Sequence, residues 1–112
     1  MQHTLKLQPR FFDFIKNGTK RIELRLNDKK RQKIKVGDTI TFYKEPALQE
    51  TLTARVVELL PYPTFADLVA DFDIDILADQ SMTKAELLAS LNQFYTPTAQ
   101  AQYGVVGIRL CP

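Results

Sequence analysis

Every second side chain is apolar in His3-Thr4-Leu5-Lys6-Leu7, the period of a strand with one buried face. Gln8-Pro9 breaks the alternation, and Pro9 suits a first helical position, where the missing N–H has no partner to lose. Phe11, Phe12, Phe14 and Ile15 then fall at helical spacing, and Asn17-Gly18 supplies a residue tolerant of a left-handed cap. Lys20 to Leu26 alternates again. Ile22, Leu24 and Leu26 face one way, and Arg21, Glu23 and Arg25 the other. Residues 27–35 read as a basic loop or a short helical turn. Val36-Gly37-Asp38 turns into a strand over Thr39 to Tyr43, which Glu45-Pro46 interrupts. The longest strand is expected over Thr51 to Leu59, ended by Pro61 and Pro63.

Helical signals take over from there. Thr64 is placed to cap a short helix from Phe65 to Ala70, with Asp67 as its capping partner. Asp71 to Asp79 holds a second short turn. Ser81 or Thr83 caps a helix reaching about Phe94, with Leu87, Leu88 and Leu91 as its apolar stripe. Tyr103 to Leu110 is a last strand, apolar enough to be buried on both faces. The order β-α-β-β-β-α-α-β predicts an α+β fold: five to six short, mostly antiparallel strands in a small closed or half-closed barrel with flanking helices. No repeat, linker or low-complexity tract divides residues 1–112, which are expected to form one domain.

Composition narrows the class. With 112 residues, 45% hydrophobic and 25% charged, the chain can bury a real core and is neither disordered nor fibrous. No apolar run reaches the ~20 residues of a membrane helix. The N-terminal stretch lacks the apolar segment of a secretory signal, so a cytoplasmic address is expected. Cys111 is the only cysteine and His3 the only histidine. That excludes an internal disulfide and a usual zinc site, and neither a metal nor a cofactor is expected.

The net charge of +2 conceals a split. Residues 1–44 carry twelve Lys and Arg against four acids, a balance of +8; residues 45–112 carry three against nine, a balance of −6. A basic half can steer an anionic ligand to one face, or the halves can simply attract each other in the fold.

Gly18-Thr19-Lys20-Arg21-Ile22-Glu23-Leu24-Arg25 is the most informative stretch for chemistry. Lys20, Glu23 and Arg25 fall close together, two cations around a carboxylate. Such a set can hold phosphate or a base edge, Arg as a planar fork and Lys as a point charge. It is equally compatible with a solvated strand face and a surface ion pair. Asp28 to Lys35 packs five cations into eight residues, among them Lys29, Lys30 and Arg31, dense enough for phosphate-backbone contacts. Phe42 and Tyr43 point to opposite faces of their strand, so if Phe42 is buried Tyr43 is free to stack on a base. Tyr95 and Tyr103 flank the last loop and could border a pocket. His3 has no catalytic company, and there is no P-loop, GxGxxG or nucleophile elbow.

The GTKRIELR segment, the following LNDKKRQKIKVGDTI, YPTFADL and the closing YGVVGI resemble, in order over about residues 3–110, the ASCH (activating-signal-cointegrator homology) domain. That family lies in the PUA-like superfamily of small β-barrels with flanking helices. The resemblance implies an RNA-related role, with RNA or a nucleotide-like anion bound in a cleft beside the barrel, and Gly18, Lys20, Glu23 and Arg25 at the motif positions. Some small members are amidohydrolases that deacetylate N4-acetylcytidine with a lysine, a threonine three residues later and a later glutamate. Lys20 matches the lysine. Glu23 occupies the threonine's place and Gln80 the glutamate's, so a hydrolase here would need Lys20 and Glu23 as a different acid–base pair.

Three functions follow as expectations. The first is a binding module in which Lys20, Glu23, Arg25, Lys29, Lys30, Arg31 and Tyr43 take RNA or a nucleotide-like anion in a cationic cleft roofed by the basic segment. The second is a small amidohydrolase acting on a modified nucleoside through Lys20 and Glu23. The third is a protein-interaction module, which requires the motif to lie on a flat exposed face. No sequence feature sets the oligomeric state.

Overall fold

The computed structural model describes residues 1–111. Strand β1 (Gln2–Leu7) leads through helix α1 (Pro9–Lys16) to β2 (Ile22–Leu26), a 3-10 turn (Arg31–Lys33), β3 (Thr39–Lys44) and β4 (Thr51–Tyr62). Helices α2 (Phe65–Ala70), α3 (Ile74–Leu77), α4 (Lys84–Phe94) and α5 (Pro97–Tyr103) follow, and β5 (Val105–Cys111) closes the described chain. The strands form one sheet in the order β1-β3-β4-β5-β2. β1 runs parallel to β3, and the other neighbours are antiparallel. The parallel pair is possible because α1, β2 and the basic segment lie between its members and supply the crossover. The expected α+β half-barrel is the observed one.

β1 and β2 are the two edges of this sheet. The sheet curls until they approach, and Arg25 Nη2 on β2 donates to Lys6 O on β1 at 2.8 Å. No ladder joins them, so the barrel has an open seam with one guanidinium across it.

Opposed residues in an antiparallel pair share a face. Glu23 and Arg25 therefore lie on the same face as Ile108 and Val106. That face belongs to the inner core, where Leu5, Phe42, Val56, Val106 and Ile108 meet Phe12 and Ile15 of α1. The other face of β2 carries Ile22 and Leu24 into an outer core with Phe65 and Leu68 of α2, Leu77 of α3 and Leu87 of α4. Gly107 makes that packing possible. A Cβ there would meet Ile22 Cγ2 at 3.1 Å and Leu68 Cδ1 at 3.2 Å.

Local chemistry sets the ends of the elements. Pro9 stands in the first turn of α1, and Gly18 (φ +82°) lets the chain reverse, with Thr19 N and Lys20 N both donating to Phe14 O. Thr64 Oγ1 accepts from Asp67 N at α2. Thr83 and Glu86 form a reciprocal capping box at α4.

Two expectations need correction. β4 does not stop at Leu59. It runs through Pro61 to Tyr62, because this half pairs only with β5 and a proline there costs no ladder bond on the other side. The stretch after Thr96, read as a loop, is α5. Thr96 caps it and Pro97 stands in its first turn, but Pro97–Tyr103 has no apolar stripe to betray it. The two charge halves do meet directly. Among the described residues, the ion pairs crossing between them are Lys16 and Lys44 with Glu50.

Candidate functional site

The reversal at Gly18 delivers Lys20 to the start of β2, where it is only 3% exposed. Lys20 Nζ donates to Ile22 O and to Leu77 O, both at 2.7 Å, and lies 3.4 Å from Glu23 Oε1. An ammonium has three donors, so this side chain is fully occupied. It ties β2 to α3 and lies 5.7 Å from the centre of the Phe11 ring. The second oxygen of Glu23 accepts from Arg25 Nε at 2.7 Å. The three charges predicted to meet do meet, as a relay: Lys20 to Glu23, Glu23 to Arg25, Arg25 to the β1 backbone.

Burial decides the electrostatics. It pulls the Lys20 ammonium below its ordinary value, against the opposing pull of Glu23. Burial also pushes the Glu23 carboxyl up, but Arg25 and then Lys20 outweigh it and hold the group below the usual carboxylate range. Desolvation acts to lower Arg25 too, and Glu23 and Tyr95 overcome it, so its pKa is raised. Glu23 is therefore ionised at neutral pH.

The seam holds two hollows, and Lys6 and Arg25 line both. The smaller has a volume of about 160 Å³. Lys20, Glu23, Leu24 and Arg25 form one wall, Lys6, Leu7, Gln8 and Glu45 another, and Phe11, Leu87, Ser90, Leu91, Phe94 and Tyr95 the rest. The larger is a groove of about 570 Å³ lined by Thr4, Leu5, Lys6, Arg25, Lys30, Arg31, Tyr43 and Leu48. Leu48 is held there at φ +59°, a strained value for a side chain of its size.

The predicted site residues therefore divide. Lys20, Glu23 and Arg25 line the cavity; Arg25, Lys30, Arg31 and Tyr43 line the groove; Lys29 is exposed and lines neither. The cavity is roofed by α4, not by the basic segment, which borders the groove instead. Phe42 is fully buried and Tyr43 is only partly so, on the opposite face of β3. Tyr95 borders the cavity as expected, whereas Tyr103 lines neither hollow. Gln80 donates to Asp75 Oδ2 at 3.1 Å and is not on the cavity wall. His3 lies 2.8 Å from Asp38 Oδ2, beside the N-terminal ammonium on Oδ1, and that network holds the Asp38 carboxyl down at about 2.

Sequence reasoning missed Lys6 and the α4 wall. Leu87 of the predicted apolar stripe belongs to the outer core, and the stripe continues through Leu91 onto the cavity. The sequence signal is Phe94, which extends the Leu87 and Leu91 spacing by one turn and is 60% exposed in the fold.

The sequence model of the ASCH domain matches residues 5–112. The chain belongs to the ASCH domain family. No curated protein matches it. Among solved structures, this ASCH domain is similar to a crystal structure described as hypothetical protein PH0355. The two share 31% identity at a TM-score of 0.87, over 100% of this chain and 99% of the other. It is also similar to the solution structure of protein PF0455 from Pyrococcus furiosus. There the identity is 30% and the TM-score 0.78, over 100% of this chain and 97% of the other. The ASCH domain is a PUA-like domain to which RNA binding is commonly attributed. Among the described residues no helix is long and apolar enough to cross a membrane, and no group of three or more His, Cys, Asp or Glu could hold a metal ion.

Proposed function

We propose that this ASCH domain binds RNA at the seam between β1 and β2, with one base held in the α4-roofed cavity. The observation that carries the reading is the shared wall of Lys6 and Arg25, which line both a base-sized cavity and a cationic groove. A cavity of about 160 Å³ is close to the ~150 Å³ that accepts a benzene ring, so it suits a single six-membered ring. Tyr95, Leu91 and Phe11 supply apolar and aromatic walls, while Glu23, Glu45 and Ser90 supply polar atoms that could fix a base edge. Lys20 contributes by holding Glu23, since its own donors are taken.

Filter-binding titrations against single-stranded and structured RNA at two salt concentrations test the proposal. Micromolar or tighter binding that weakens with salt is expected, and Ser90→Phe, which fills the cavity, should weaken it about tenfold. Affinity no better than that of a neutral control protein, or unaffected by Ser90→Phe, would reject the reading.

A second reading is the amidohydrolase, favoured by the lowered pKa of Lys20 beside Glu23 on the cavity wall. In that case Glu23 takes the proton of a water that attacks the amide carbonyl and passes it to the N4 amine as the C–N bond breaks, releasing acetate and cytidine, while Lys20 holds Glu23 in place. Incubation with N4-acetylcytidine followed by chromatography decides it. Absence of cytidine, or equal turnover in a folded Lys20→Met variant, removes this alternative.

A further inference from the structure

We infer that the groove beyond Arg25 is a phosphate subsite, and that the ligand is therefore a nucleic-acid strand whose backbone runs past the cavity rather than a lone base. This rests on the reading that the cavity takes a base.

The charge in the groove is one-sided. Lys6, Arg25, Lys30 and Arg31 line it and no acid does, whereas the cavity sets Glu23 and Glu45 among its cations. Carboxylates therefore stand on the cavity wall itself, whereas the groove wall presents cations alone, two of them paired with acids set back from it, Arg25 with Glu23 and Arg31 with Asp28.

Arg31 adds a more specific sign. Its backbone N–H donates to Asp28 Oδ1 at 3.1 Å, and Nη1 donates to Asp28 Oδ2 at 3.3 Å. Its Nε is buried with no acceptor at all. Buried donors in native proteins are nearly always paired, and an exception asks for an explanation. A guanidinium is best satisfied by two oxygens in its own plane, as a phosphate offers. By turning toward an anion in the groove, Arg31 gives up one long bond and gains two good ones, Nε among them. Asp28 keeps its contact with the Arg31 backbone throughout, so the turn is left intact. Tyr43, in the same groove, offers a ring face for the base next to that phosphate.

Free phosphate and a phosphodiester share this chemistry, and three probes tell them apart. Amide chemical shifts of the full chain are followed with pyrophosphate, with uridine, and with a five-residue single strand of uridylates. Pyrophosphate is expected to move Lys30, Arg31 and Tyr43 and to leave Ser90 and Leu91 in place. Uridine should do the reverse. The pentanucleotide should move both sets and bind at least tenfold more tightly than uridine. Arg31→Gln should abolish the pyrophosphate shifts and leave uridine binding unchanged. It should also reduce the salt slope of pentanucleotide binding by roughly 0.7, the value for one phosphate contact on a single strand. Lys30→Gln, at an exposed position, should act in the same direction and serves if Arg31→Gln fails to fold. Pyrophosphate shifts spread over Lys33, Lys35 and Arg55, or unchanged in both variants, would overturn the subsite. Binding of pyrophosphate with no gain for the pentanucleotide would overturn the strand. Groove shifts without any uridine response would leave the subsite standing and remove the base from the cavity, so the two readings fail separately.

Discussion

Glu23 is the side chain on which the seam's charge balance turns. It is 4% exposed and partners both Lys20 and Arg25. Glu23→Gln leaves two buried cations facing each other, and breaking a buried pair in this way costs about 3–5 kcal/mol. Chemical denaturation should show that loss, and Lys20→Met with Glu23→Gln together should be less damaging than the sum of the two. The acid limb of stability follows from depressed carboxyls. Asp38, held at about 2 by His3 first and by the Lys35 backbone N–H next, is ionised in the folded state well below its ordinary 3.8. A depressed carboxyl stabilises above its unfolded pKa, and the stabilisation is lost as pH falls toward the folded one. The thermal midpoint should therefore drop between about pH 4 and pH 2, with Glu23 contributing in the same direction. Asp38→Asn should flatten the drop without removing it.

Among the elements, α4 bears most directly on the site, because it roofs the cavity while only Leu87 of its residues is fully buried. Its capping box fastens the start of the helix. Thr83→Ala should cost about 1 kcal/mol, and hydrogen exchange of Leu87 to Tyr95 should quicken before that of β4 or β5. Gly107→Val tests the sheet beneath. The added atoms would press on Ile22 and Leu68, and overpacking of this kind costs about 1–3 kcal/mol. Periodicity made most elements legible, since alternation in β2 and the caps at Thr64 and Thr83 are local signals. α5 was illegible because it has no apolar stripe, and Pro61 misled because whether a proline breaks a strand depends on what lies beside it. The pairing of Glu23 with Arg25 was readable from the alternation of β2, and Lys20 reaches them from the reversal just before that strand. That α4 rather than the basic segment roofs them was not, since only the packing of the outer core brings residues 87–95 to the seam.

Across the whole molecule, the ion pairs that cross between the basic and acidic halves among the described residues both go to Glu50. The cations of the groove all come from residues 6–31. Such a surface gathers a polyanion before any specific contact forms. The association rate with RNA should therefore fall about tenfold or more as salt rises from low to physiological levels, with a smaller change in the dissociation rate; stopped-flow mixing measures both.

The single hydrogen bond from Arg25 to Lys6 has a consequence for solubility. Strand edges that lack a neighbour are templates for other chains, and here the two edges are kept turned toward each other by one side chain. With Arg25→Ala they are no longer tethered. That variant should self-associate on concentration, visible as a rising sedimentation coefficient, even in preparations from which all RNA has been removed. The residue nearest the ligand would then also be the one that keeps each copy of the protein from becoming a ligand for the next.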